Sequence, residues 1–253
     1  MHQLSIKFKK ETDENELYHA FWSVLGSMRQ NGQLTGREMN CFIQDDKMIA
    51  VISSVGEDGL NEKYHNKYIE QNIAELEKLC DNPLIINFLG FRENEKNAIC
   101  TCEKSDYFVL YYYKDYSPIV CGSCDKSYPL YRLPKLEDFS YWRIMSWVSA
   151  YQGCVLLDLN CGTGEKWAMK QLCDPASGLS IQGQKVTAKI MEETGIKTYY
   201  YLSNFSKSKK AKDITRPCPS CSGEWHLEKS IHHHFRHKCD KCLLMSVYSS
   251  NHS

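Results

Sequence analysis

The sequence predicts an α+β protein: a body of mixed or antiparallel sheet with packed helices, followed by a small C-terminal module tied together by four cysteines. Three observations lead there. Apolar residues switch repeatedly between the two-residue period of half-buried strands and the wider period of helices. Residues 204–216 (NFSKSKKAKDITR) are polar, basic and nearly free of large apolar side chains, as a linker would be. Two CxxC pairs follow directly. The expected organisation is therefore a body over 1–203, a basic linker over 204–216 and a compact module over 217–253.

Within the body, residues 1–82 read as a βαββα-like part. Leu4, Ile6 and Phe8 alternate with polar residues as a strand. Thr12 or Asp13 can cap a helix whose Leu17, Phe21, Leu25 and Met28 share one face, and Asn31-Gly32 stops it. Residues 39–43 and 48–55 flank a hairpin turn at Asp45-Asp46, and Tyr68, Ile73, Leu76 and Leu79 mark a second amphipathic helix. The central part, 83–203, opens on the apolar run 84–91 and continues with 98–102 and the β-prone 107–113. The prolines of YPLYRLP imply an extended crossing segment. Residues 137–151 carry Trp142, Met145, Trp147 and Tyr151 at helical spacing; 154–159 reads as a buried strand, 177–194 as a helix and 197–202 as a strand.

Composition narrows the function classes. The 253 residues include 31 Lys+Arg against 31 Asp+Glu and 42% hydrophobic residues. That apolar content builds a core, so general disorder is excluded, and the balanced charge disfavours a protein that coats nucleic acid through a global positive field. No apolar run reaches membrane-span length. The opening MHQLSIKFKK has no apolar core of a secretory signal, so a cytoplasmic location is expected.

Thirteen cysteines stand out. An odd number without a secretion signal argues against a disulfide framework and for metal binding by closely spaced pairs. Cys218, Cys221, Cys239 and Cys242 form CPSC-x17-CDKC, two knuckles that can aim four thiolates at one ion, the pattern of a structural zinc ribbon. So short a module needs the metal to fold. Cys100 and Cys102, on one face of a strand, with Cys121 and Cys124 of CGSC, form a second four-cysteine candidate; a redox pair at Cys121/Cys124 competes with it. The expected cofactor is Zn2+, with iron–sulfur ligation as the metal alternative. His226, His232, His233, His234 and His237 lie between the last two knuckles and are read as a solvated hairpin tip. Cys41, Cys80, Cys154, Cys161 and Cys173 are read as small buried hydrophobes.

VLLDLNCGTG (155–164) resembles the first motif of S-adenosylmethionine-dependent methyltransferases, a strand ending in a glycine-rich turn. Asn160 replaces its first glycine, and position 183 holds a glycine where an acidic partner for a cofactor hydroxyl is expected. A buried strand with a glycine turn is the preferred reading, and no enzyme, catalytic residue or small-molecule substrate is expected.

The sequence as a whole resembles a bacterial family of uncharacterised proteins described as zinc-ribbon-containing and as candidates for nucleic-acid binding. The matching segments are NGQLTGRE (31–38), CTC (100–102), SPIVCGSC (117–124), PLYRLP (129–134), TYYYL (198–202), CPSCSGEW (218–225) and KCDKCLLMS (238–246). Leu243 stands where the family carries a basic residue, which weakens the argument for a phosphate contact there. The resemblance implies Cys218, Cys221, Cys239 and Cys242 as ligands and favours the central four; it supplies no activity.

From residue 203 onward there are nine Lys/Arg and four Asp/Glu, a surplus of five that bound zinc tetrathiolate reduces. The strongest basic cluster, Lys207, Lys209, Lys210 and Lys212, lies in the linker and reads as a solvated tether. The expectation is a non-catalytic zinc-ribbon protein that binds another protein, in an inhibitor, immunity-type or adaptor role, with no membrane partner. Nucleic-acid binding through the linker and ribbon is the second reading, and a methyltransferase-like enzyme a remote third.

Overall fold

The structure is a computed structural model and describes residues 1–91, 95–112, 116–136, 141–160, 162–205 and 210–249. The protein is α+β, as its sequence predicts, and forms two compact units: residues 1–101, 113–117 and 126–142, and residues 102–112, 118–125 and 143–253. No helix among the described residues is long and apolar enough to cross a membrane.

The first unit contains β1 (His2–Lys7), α1 (Glu14–Gln30), β2 (Leu34–Gln44), β3 (Lys47–Ser54), α2 (Lys67–Lys78), β4 (Ile85–Phe88) and the single turn α3 (Glu95–Ala98). Asp13 caps α1, its carboxylate accepting from the N–H groups of Asn15 and Glu16, and Asn66 caps α2 in the same way. The strands form an antiparallel sheet in the order β2-β3-β1-β4, the split βαββαβ arrangement of ferredoxin-like folds. Leu4 and Ile6 of β1 and Met48, Ala50 and Ile52 of β3 point from one face into a core with Leu17, Phe21, Leu25 and Met28 of α1 and Ile69 and Leu76 of α2. The apolar run 84–91, assigned from sequence to the central part, instead supplies the edge strand β4: Leu4 pairs with Ile86. Tyr68, expected on the inner face of α2, is exposed, and Ile69 takes that place.

The prolines of YPLYRLP do not keep this stretch extended throughout. Residues Leu130–Arg132 make a 3-10 turn between extended Pro129 and Leu133. That turn docks on the NGQ corner after α1: a Cβ on Gly32 would lie 2.6 Å from Leu130 Cβ, and Tyr131 donates its hydroxyl to Val55 O at 2.8 Å. Lys135 completes the junction, donating to Asn31 Oδ1 at 2.7 Å; burial pulls its amine down to about 8.

The second unit contains β5 (Phe108–Leu110), β6 (Ile119–Cys121), α4 (Trp142–Asn160, its first residue belonging to the first unit), α5 (Glu165–Cys173), α6 (Gly178–Thr194), β7 (Thr198–Tyr201), α7 (Lys210–Ile214), β8 (His226–Ile231), β9 (Phe235–Cys239) and β10 (Leu244–Ser246). They make one mixed sheet in the order β6-β5-β7-β10-β9-β8, with β7 parallel to both neighbours. Tyr199 and Tyr201 of β7 join Val109, Val120, Phe235 and Met245 on one face. Tyr200 points the other way, toward Trp147 of α4 and Gly183 of α6, where a Cβ would lie 2.2 Å from the tyrosine ring.

Two expectations are corrected here. Residues 154–159 are not a strand but the last turns of α4. Trp147, Tyr151 and Cys154 recur on the buried side, whereas Leu156 and Leu159 are exposed, a helical and not a two-residue period. The segment that resembles a methyl-donor motif is thus helix–turn–helix, with Gly164 in the left-handed region ahead of α5, and lacks the strand that motif requires. Nor does the C-terminal module follow a loose tether: β10 pairs directly with β7, Leu244 opposite Tyr200. Within the segment expected as a linker, α7 buries Asp213, which accepts from Asn204 Nδ2 at 3.0 Å and Ser249 N at 2.5 Å. Lys207 and Lys209 lie outside the described residues, as does Cys161. So do the first residues of the helix expected over 137–151.

Candidate metal centres

All eight cysteines singled out by spacing converge in two groups, Cys100, Cys102, Cys121 and Cys124, and Cys218, Cys221, Cys239 and Cys242. In each, the four sulfurs lie within 4.8 Å of one another. A tetrahedral ion with metal–sulfur bonds of about 2.3 Å separates its sulfurs by about 3.8 Å. Cys221 Sγ and Cys239 Sγ are 3.7 Å apart, so the second group already has the edge length such an ion needs. Both groups consist of cysteines alone. His226, His232, His234 and His237 have other partners: His226 meets the Tyr248 hydroxyl and His237 the Asp213 carbonyl.

The three CxxC turns share one backbone device. The residue after each second cysteine has positive φ: Asp125 at 60°, Ser222 at 57° and Leu243 at 51°. None is glycine, so each site accepts a conformation that L-residues disfavour by about 1–2 kcal/mol. The turn is also closed alike in two of them, Asp125 N donating to Cys121 O at 2.9 Å and Ser222 N to Cys218 O at 2.8 Å. CGSC therefore has the backbone of the C-terminal knuckles. Among the described residues the next α-helix after it is α4, which starts at Trp142, too far along the chain for its N-terminus to lower a thiol pKa.

Local contacts hold each group. Cys121 ends β6, and its sulfur lies 3.2 Å from the Ser105 hydroxyl, which also accepts from Gly122 N at 3.0 Å. Cys100 N donates to Ser127 O at 2.8 Å, and Arg132 of PLYRLP donates to Cys100 O at 2.8 Å, so the fingerprint segment buttresses a ligand backbone. In the second group Cys218 and Cys239 are buried and Cys221 and Cys242 half-buried. The Gly223 N–H draws the Cys221 thiol down to about 7, while burial pushes Cys242 up to about 12. Four clustered thiols cannot all ionise without a cation, and a metal resolves the conflict. Asp240, between the two cysteines of the last knuckle, is held below the usual carboxylate range by the Tyr199 hydroxyl and Lys238.

The other described cysteines stay apart from these groups. Cys80 sits in the first core and Cys41 packs against it, and burial raises both thiols, as it does at Cys154 and Cys173. Sequence reasoning did not reveal the aromatic contacts joining the sheet to the knuckles, Tyr199 to Asp240 among them. The run TYYYL was their available signal.

Comparison with known proteins adds relatives but no activity. Three family models, each described as a domain of unknown function, match in succession: DUF8589 over residues 1–90, DUF2310 over 102–203 and DUF8594 over 207–252. An uncharacterised protein of Haemophilus influenzae is 29% identical over 239 residues, which cover 90% of each chain. A second one from that organism is 34% identical over 135 residues, 53% of this chain and 66% of the relative. These matches fit an uncharacterised bacterial family to which the chain is similar along most of its length.

Proposed function

We propose that this is a non-catalytic protein, stabilised by two structural zinc ions, that binds another protein in an inhibitor, immunity-type or adaptor role. The observation that carries the reading is the make-up of the two sites: four cysteines each, three of the four pairs on a shared CxxC backbone. Four thiolates fill a tetrahedral ion, leaving no position for a water or substrate, so the metal holds shape instead of performing Lewis-acid chemistry. Zinc suits an all-thiolate tetrahedron, and metal analysis of protein purified without added metal separates it from iron–sulfur ligation.

A protein partner is favoured over nucleic acid by two surfaces. On the outer face of the first sheet, the central strands β1 and β3 present Gln3 and Ser5, and Ile49 and Val51. These central strands lack the rings on which bases stack in RNA-binding proteins with a four-stranded sheet, and an exposed ring on this face, Phe42, lies on the edge strand β2 opposite Ile49. At the end of α4, Leu159 is 72% and Leu156 44% exposed, and Trp167 of α5 is 57% exposed, apolar surface that suits a protein contact.

The test is a pull-down from native cytoplasm, with and without nuclease, washed at low and moderate salt. A stoichiometric protein should survive both treatments and be lost from Leu159→Asp with Trp167→Ser. Recovery of nucleic acid alone, released by salt, would replace this reading with binding through the basic tail.

A further inference from the structure

Resting on the metal reading above, we infer that the two four-cysteine sites are one coupled unit, in which loading of either raises the affinity of the other. The geometry that points to this lies within the six-stranded sheet, whose β6 carries Cys121 and whose β9 ends at Cys239.

A chain of contacts runs from knuckle to knuckle. Gly122 follows Cys121 and rests on Tyr107: its N–H donates to Tyr107 O at 2.8 Å, and a Cβ there would lie 2.5 Å from the tyrosine ring. Tyr107 meets Tyr199 edge to face, with ring centroids 5.5 Å apart. The Tyr199 hydroxyl donates to Asp240, which sits between Cys239 and Cys242. Lys238 spans the same path, its ammonium 5.8 Å from the Tyr107 ring centroid, 5.0 Å from that of Tyr199 and 3.2 Å from Asp240 Oδ1.

A second connection runs from the hairpin between β8 and β9 to the first knuckle. His232 Nε2 lies 2.8 Å from Gly122 O and 3.4 Å from the Tyr107 hydroxyl. His234 Nδ1 lies 3.6 Å from Asp125, the residue after Cys124. The turn has φ of 52° at His232 and 66° at His233, where Asn or Gly would adopt positive φ with less strain. Histidine at the first position is explained by reach, since Asn or Gly would not extend to Gly122 O. The first knuckle thus touches both connections, and the C-terminal knuckle meets the first through Asp240 and the second through β9, which joins the hairpin to Cys239.

The test is a titration of the full, metal-free, reduced chain with Co2+ alone, read by thiolate-to-cobalt absorption. The wild type should take up two equivalents. Cys242→Ser should weaken the remaining site about tenfold, and Cys124→Ser should weaken the C-terminal site by the same factor, because coupling is reciprocal. A remaining site of wild-type affinity in both variants would overturn the coupling. Should either serine variant fail to fold, Tyr199→Phe with Lys238→Met, His232→Gly and His234→Ser keeps all eight cysteines while removing the hydrogen bonds and ion pairs of both connections. Chelator-driven release, a single phase in the wild type, should then split into two, and one unchanged phase would overturn the inference. A wild type that takes up no cobalt would sink the metal reading itself, whereas two equivalents bound independently would sink the coupling alone.

Discussion

In the first sheet the strands are joined by a hairpin or by a helical crossover, and α1 and α2 cover one face with a continuous aliphatic core. The six-stranded sheet is built otherwise. Three of its strands, β5, β6 and β10, are three residues long, its middle is packed with tyrosines, and both of its halves carry cysteine knuckles. Ordinary burial of apolar surface suffices for the one. The other couples short, distant strands whose closure entropy needs a further source of free energy, which a metal held by the two four-cysteine groups would supply.

The sharpest way to break this contrast is Cys239→Ser. The continuity of the sheet moves the damage beyond the C-terminal module: hydrogen exchange should show protection lost over β8–β10 and β7 and retained over β1–β4. Binding of structural zinc contributes about 10 kcal/mol or more in small zinc modules, which makes this the largest expected effect. Phe21→Ala is the converse experiment. It empties a fully buried position beneath the first sheet, should cost that unit about 3–5 kcal/mol in denaturant unfolding, and should leave metal uptake unchanged.

A pH titration sharpens the contrast further. The Cys221 thiol of the apo protein sits near 7, and only its thiolate binds metal. Above that pH it is already ionised; below it, one more proton must leave for each metal bound. Affinity should therefore fall an additional tenfold per pH unit below about 7, and calorimetry in buffers of different ionisation enthalpy would count that proton. The smallest expected effect is that of Asp13→Ala, which removes the α1 cap and should lower the stability of the first unit by about 1 kcal/mol, read from its melting transition.

The same contrast explains what was legible in the sequence. Asp13, Leu17, Phe21, Leu25 and Asn31 mark α1 with cap, stripe and stop, all local signals that tertiary packing reinforces. The four-cysteine groups were legible because each CxxC turn, like the C-x-C pair, is a local device, and nearby pairs need little chain to meet. The sheet that holds them was not. A three-residue strand such as β10 has too few positions to show a period, and nothing near Leu244 announces a parallel partner at Tyr200. Residues 154–159 misled for the related reason that a short apolar run fits a strand or a helix, and only the burial of Tyr151 and Cys154 against the exposure of Leu159 decides.

The place of β10 in the strand order also sets a timetable for synthesis. It lies between β7 and β9, yet it is made after both. While the chain is growing, β6-β5-β7 ends in an open edge at β7, and β8-β9 ends in another, each a template for pairing with the wrong strand. Only the arrival of Leu244–Ser246, just past the last of the clustered cysteines, seals both. Completion of the four-cysteine group and closure of the sheet thus fall within a few residues of each other, so a chain cut between Cys239 and Cys242 would keep both edges open and hold only three of the four clustered C-terminal thiols.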